Sequence, residues 1–116
     1  MAQTSTGSKV VWQAETQDAD KAAMVKEALR EVIDPEIGLN IIELGLVRDL
    51  AFQPDGKTWL KMILTTPFCP YGPAMLEQTR NKVMSVTEGP ATIEMGMELW
   101  DPSMMEEGAG ADWGLF

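Results

Sequence analysis

The chain has 116 residues, enough for one hydrophobic core and too few for two, so a single domain is expected. Nine basic residues stand against 18 acidic ones, a net charge of -9 that repels nucleic-acid backbones and anionic lipid headgroups rather than recruiting them. No stretch approaches the roughly 18 to 20 apolar residues of a membrane span, and a lone cysteine in a chain without histidine leaves no internal disulfide and no Cys-His pair, so a soluble protein of the reducing cytoplasm is the expectation.

Residues 1 to 17 are polar without a sustained period and read as a mobile tail, in which Trp12 is the candidate for docking. From Asp18 onward, Val25, Ala28, Leu29, Val32 and Ile33 form one helical stripe, which Pro35 ends at Asp34. Leu46 to Gln53 reads as a strand. Pro54-Asp55-Gly56 supplies a hairpin turn, and Lys57 to Thr65 returns with Leu60, Met62 and Leu64 on one face. Met75, Leu76, Thr79, Val83 and Val86 mark a second helix that Glu88-Gly89-Pro90 stops.

The clearest alternation runs from Thr92 to Leu99. It predicts Ile93, Met95, Met97 and Leu99 on a core and Thr92, Glu94, Gly96 and Glu98 in water. Ser103 and Glu106 have capping-box spacing, which predicts a short helix before Gly108. The order helix, strand, strand, helix, strand, short helix defines a two-layer α+β domain over residues 18 to 107, its long helices covering one face of a three-stranded sheet, with 108 to 116 as a C-terminal tail. The exposed edges of such a sheet offer a homodimer surface.

Any sulfur chemistry rests on Cys69, set between Pro67 and Pro70 just before the second helix. A helix N-terminus favours the thiolate, whereas the plain alternative is a buried structural thiol; Pro73 disfavours helical geometry at Gly72 and leaves Cys69 in a loop. A histidine-assisted nucleophile is closed to this chain. One cysteine supplies a quarter of the ligands of a zinc site or an iron-sulfur cluster, and two chains supply half. Any cluster contact is therefore transient and shared with carboxylates, a small thiol or a partner, which points to a carrier or an adaptor rather than an enzyme. Asp34 and Glu36 flank Pro35 ahead of Gly38 and Gly45, either as a solvated turn or as hard-metal ligands. Most of the nine methionines read as core filler, with Met104 and Met105 as exposed contacts.

Three segments together carry a resemblance: DPEIGLNIIELGLV (34 to 47), TTPFCP (65 to 70) and LWDPSMM (99 to 105). Over about residues 20 to 107 the chain resembles the metal-sulfur cluster biosynthetic family, which includes bacterial SufT proteins, PaaD-like proteins and the cytosolic iron-sulfur targeting factors of eukaryotes. The resemblance implies a small α+β fold and a part in maturing iron-sulfur proteins. It implies Cys69 as the reactive or cluster-linked residue, with Asp34, Glu36, Thr65, Thr66 and Pro67 shaping the site and Trp100, Asp101 and Pro102 completing its surface. Tyr71-Gly72-Pro73 departs from the helix-friendly residues that usually follow the Cys-Pro pair, and a cysteine-rich C-terminal extension of the PaaD kind is missing. The expected function is a non-enzymatic accessory factor that assembles or delivers a transiently held iron-sulfur cluster, acting as a homodimer with assembly machinery and client apoproteins. The alternative is a metal-free adaptor that recruits clients, with Cys69 structural.

Overall fold

The computed structural model describes residues 10–66 and 70–106. In chain order the elements are α1 (Ala14–Gln17), α2 (Ala19–Leu29), β1 (Val47–Phe52), β2 (Thr58–Met62), α3 (Gly72–Thr87), β3 (Ala91–Met95) and a 3-10 turn, Pro102–Met104. Strand order is β1-β2-β3, with β2 antiparallel to β1 and parallel to β3. The expected α+β class and the order of the main elements are those observed. Hairpin chemistry explains the first pairing: Gly56 turns with φ 87°, and Gln53 N–H donates to Lys57 O at 2.8 Å. The parallel pairing needs a crossover, which α3 provides.

Val25 and Leu29 of α2, Met75 and Val83 of α3, and Leu50, Leu60 and Met62 of the sheet are buried together in one core. Asp18 caps α2 by accepting from Lys21 N–H at 3.1 Å. The helix stops earlier than its apolar stripe. Beyond Leu29 the bonds tighten to the i−3 pattern, Arg30 N–H to Glu27 O, Glu31 N–H to Ala28 O and Val32 N–H to Leu29 O, so Val32 stays buried while Ile33 turns outward, 47% exposed. α3 begins at Gly72 with Pro73 in its first turn, where a missing N–H costs nothing, and ends on Glu88 in the left-handed conformation.

Four expectations are corrected. Of the tail expected over residues 1 to 17, residues 1–9 lie outside the described ones, but 10–17 are packed. Trp12 is 1% exposed, its Nε1–H donates to Val47 O at 3.1 Å, and the Lys26 ammonium lies 4.9 Å from its ring centre. The third strand is shorter than its alternation. It ends at Met95, so Met95, Met97 and Leu99 are exposed, Met97 at 94%, instead of lying in the core. The C-terminal turn is capped by Asp101, which accepts from Ser103 N–H at 2.7 Å, and not by Ser103 itself. Met105, expected as an exposed contact, is fully buried.

The two sheet edges differ. Residues 12–17 seal the outer edge of β1: the Gln17 side chain donates to Phe52 O at 3.1 Å and accepts from Phe52 N–H at 2.8 Å, standing in for a neighbouring strand. Asp49 Oδ1 takes up Leu50 N–H at 2.8 Å and Gln13 N–H at 2.9 Å. Among the described residues, no strand or side chain covers the outer edge of β3 in this way.

Candidate functional site

The three segments singled out in the sequence meet at one end of the sheet. In the first, the chain doubles back after α2. Ile33 bridges Asn40, Asp34 N–H donates to Leu39 O at 2.9 Å, and Gly38 N–H donates to Asp34 O at 2.7 Å. This loop sets the Asp34 side chain inward, fully buried, while Glu36 is exposed. Asp34 Oδ1 accepts from Glu36 N–H at 2.9 Å, and its Oδ2 accepts from the Thr65 hydroxyl at 3.1 Å. A buried carboxylate is tolerated where both oxygens are hydrogen-bonded, and here both are.

The two acidic residues therefore do not form a carboxylate pair. Glu36 contributes its amide and Asp34 its carboxylate, and that carboxylate is engaged in holding the end of the second segment. Among the described residues, no three His, Cys, Asp or Glu side chains cluster as a metal site. Thr65 and Thr66 lead directly into residues 67–69, so Cys69 and Pro67 lie outside the described residues.

The turn after Asn40 is a capping box that the sequence reading missed, although its Asn40-x-x-Glu43 spacing was a usable signal. Asn40 Oδ1 accepts from Ile42 and Glu43 N–H at 3.0 and 2.8 Å, and Glu43 Oε1 accepts from Asn40 N–H at 3.0 Å. The third segment clasps this turn. Trp100 Nε1–H donates to Leu44 O at 2.7 Å, and Glu106 N–H donates to Glu43 O at 2.8 Å. Gly45 sits at φ +74°, and a Cβ there would lie 2.1 Å from Met104 O, so both conformation and space demand glycine.

Arg30 closes the arrangement with two bonds to Glu106, at 3.0 and 2.7 Å. Glu106 thereby raises the guanidinium above its ordinary pKa, against the opposing effect of burial. Neither Arg30 nor Arg48 was foreseen as part of this framework. Arg48 Nη1 donates to Gly45 O at 3.0 Å, and its Nε lies 3.5 Å from Glu98.

Beside Thr65 opens a groove of about 420 Å³, lined by Ile63, Leu64, Thr65 and the segment from Met95 to Trp100. One wall is the stretch that follows β2 and the other is the exposed apolar row that runs from the end of β3. The groove went unforeseen because the row was assigned to the core. Gly96, which interrupts it, was the available sign that the strand ends there.

As a class, this is a small two-layer α+β domain with a mixed three-stranded sheet and a loop-built site at one end. It superposes with a TM-score of 0.76 on a domain of unknown function, DUF59, from Bacillus anthracis, at 20% identity and covering 87% of this chain and 98% of that one. Residues 22–95 match the family described as iron-sulfur cluster assembly protein, and the chain belongs to that family.

It is similar to the Fe-S protein maturation auxiliary factor of Porphyromonas gingivalis, 36% identical over 90 residues, which are 75% of this chain and 85% of that protein. It is also similar to the Fe-S protein maturation auxiliary factor YitW of Bacillus subtilis, 38% identical over 61 residues, 53% of this chain. That second match spans 60% of the Bacillus protein, less than two thirds of its length. No helix among the described residues is long and apolar enough to cross a membrane.

Proposed function

We propose that this protein is a cytoplasmic, non-enzymatic accessory factor in the maturation of iron-sulfur proteins, in which Cys69 makes a transient thiolate contact with a cluster in transit to client apoproteins. The observation that carries this reading is the convergence of three separated segments on the residues that lead into Cys69. Asp34 holds Thr65, and the 99 to 105 segment braces the loop that carries Asp34. Membership of the iron-sulfur cluster assembly family gives that convergence its chemical direction.

In this reading Asp34, Glu36, Thr65 and Thr66 are positioning residues, and Cys69 is the one that touches cargo. Asp34 already accepts two hydrogen bonds and serves the site by fixing the path of the chain. Because a cluster commonly takes four thiolate-type ligands, one cysteine per chain fits hand-over and not storage. Two chains of a homodimer would present two thiolates, and a client or small thiol would supply the others.

The test pairs two readouts on wild type and Cys69→Ser. Anaerobic reconstitution with iron and sulfide should give a visible chromophore in wild type, about one cluster per dimer by the ligand count above, and none in the variant. Activation of an iron-sulfur client in cells should fall in the same variant while its fold is unchanged. Full client activation by Cys69→Ser would overturn the carrier reading in favour of the adaptor.

A further inference from the structure

The alternation of the third strand runs from Thr92 to Leu99, yet β3 stops at Met95 and leaves Met95, Met97 and Leu99 in solvent. A strand signal that continues past its strand asks for a pairing partner that none of the described residues supplies. We propose that the partner is a second copy of this chain, joined by antiparallel pairing of β3 with β3 across a two-fold axis at Met95. The proposal deepens the dimeric reading above and gives it a surface.

Hydrogen bonding decides which backbone groups are free. Thr58 N–H donates to Pro90 O and Gly96 N–H to Met62 O, both at 2.9 Å, so the even-numbered residues of this stretch face β2. In an extended strand the odd-numbered ones, Ala91, Ile93 and Met95, then turn their N–H and C=O groups outward. Pro90 does not blunt this edge, because its backbone faces inward.

The opposite edge is sealed by Gln17 and Asp49. With one edge closed and the other uncovered among the described residues, self-pairing gives a closed dimer and cannot propagate into a fibre.

The register follows from side-chain matching. A two-fold axis at Met95 sets Met95 against itself, Ile93 against Met97 and Ala91 against Leu99, all apolar, on the side of the helices. On the other side it sets Glu94 against Gly96 and Thr92 against Glu98, so no two carboxylates stand directly opposite each other, while the Glu94 and Glu98 carboxylates of the two copies are diagonal neighbours. A two-fold at Ile93 would leave Met97 and Leu99 without cross-strand partners. Pairing about Met95 extends β3 through Leu99, the outer wall of the groove beside Thr65, and so joins the two grooves through one six-stranded sheet.

The test is the mass of the full chain in solution across a concentration series, read with amide hydrogen exchange. Wild type is expected at twice the 12.8 kDa chain mass, with protection at Ile93, Met95 and Met97 that rises with concentration. Met97→Glu adds charge at a residue already exposed, and Met95→Pro removes one outward N–H; each should weaken the dimer about tenfold or more. A chain that stays at 12.8 kDa, or a dimer that neither substitution weakens, overturns the proposal. So does a monomer whose β3 amides are protected only by an added extended apolar peptide. None of these outcomes depends on the client assay, so the dimer and the carrier role fail separately.

Discussion

The Thr65 hydroxyl donates to the buried Oδ2 of Asp34 at 3.1 Å, joining positions 31 residues apart. Because the acceptor is a buried carboxylate, removing the donor while keeping the shape leaves part of that charge uncompensated. Thr65→Val is expected to cost about 1 to 3 kcal/mol in urea unfolding, with Asp34→Ala costing at least as much. In the double-mutant cycle the pair should couple by about 0.5 to 3 kcal/mol; additive losses would mean that the two side chains act independently.

Gly45 combines a left-handed φ with a 2.1 Å approach of its missing Cβ to Met104 O. Gly45→Ala must strain the turn and push the 3-10 turn away from it. A loss of about 2 to 4 kcal/mol is expected in thermal unfolding, more than the usual cost of adding a methyl group at the surface. Trp100→Phe, which removes the Nε1–H to Leu44 O together with part of the ring, should lose about 1 to 2 kcal/mol. If Gly45→Ala melts like wild type, the clasp does not brace the turn.

Trp12 separates a mobile tail from a docked one. Its burial predicts that Trp12→Ala costs about 3 to 5 kcal/mol, whereas a residue in a free tail would change stability by less than about 0.5 kcal/mol. Denaturant midpoints of the two proteins at equal slope give the answer.

The docking of residues 12–17 also carries a pH dependence through Asp49. Burial pushes this carboxyl up, but hydrogen bonds from the Gln13 side chain, the Gln13 amide and the Leu50 amide outweigh it and hold the pKa below its ordinary value. A carboxyl depressed in the folded state contributes stability above its unfolded pKa of about 3.9 and loses that contribution as pH falls through the folded value. Asp49→Asn should therefore be less stable than wild type near neutrality, and the gap should close as pH drops below about 4. A gap that stays constant to lower pH would assign the effect to lost geometry alone.

Periodicity and breakers made most of the architecture legible. The stripe through Val25 and Leu29, the Pro54-Asp55-Gly56 turn and the stop at Glu88-Gly89-Pro90 each report local geometry that the tertiary fold keeps. What stayed hidden depends on distant partners. Trp12 looks like part of a polar tail until Val47 O and Lys26 are beside it. Asp34 looks like a solvated turn residue until Thr65 reaches it from the stretch that follows β2. Met105 looks exposed in a Met-Met turn, whereas it joins the core. Met97 looks like a core position in the alternation, but the strand ends at Met95 and leaves it exposed.

The clasp of Trp100 on Leu44 and of Glu106 on Arg30 spans 56 and 76 positions. During synthesis, Asp34 and Thr65 leave the ribosome well before the residues that brace them. A chain halted between residues 70 and 100 has both motifs but no clasp on the turn between them. Bracing of the turn between Asp34 and Thr65 is thereby coupled to completion of the domain, an order of assembly written into the chain itself.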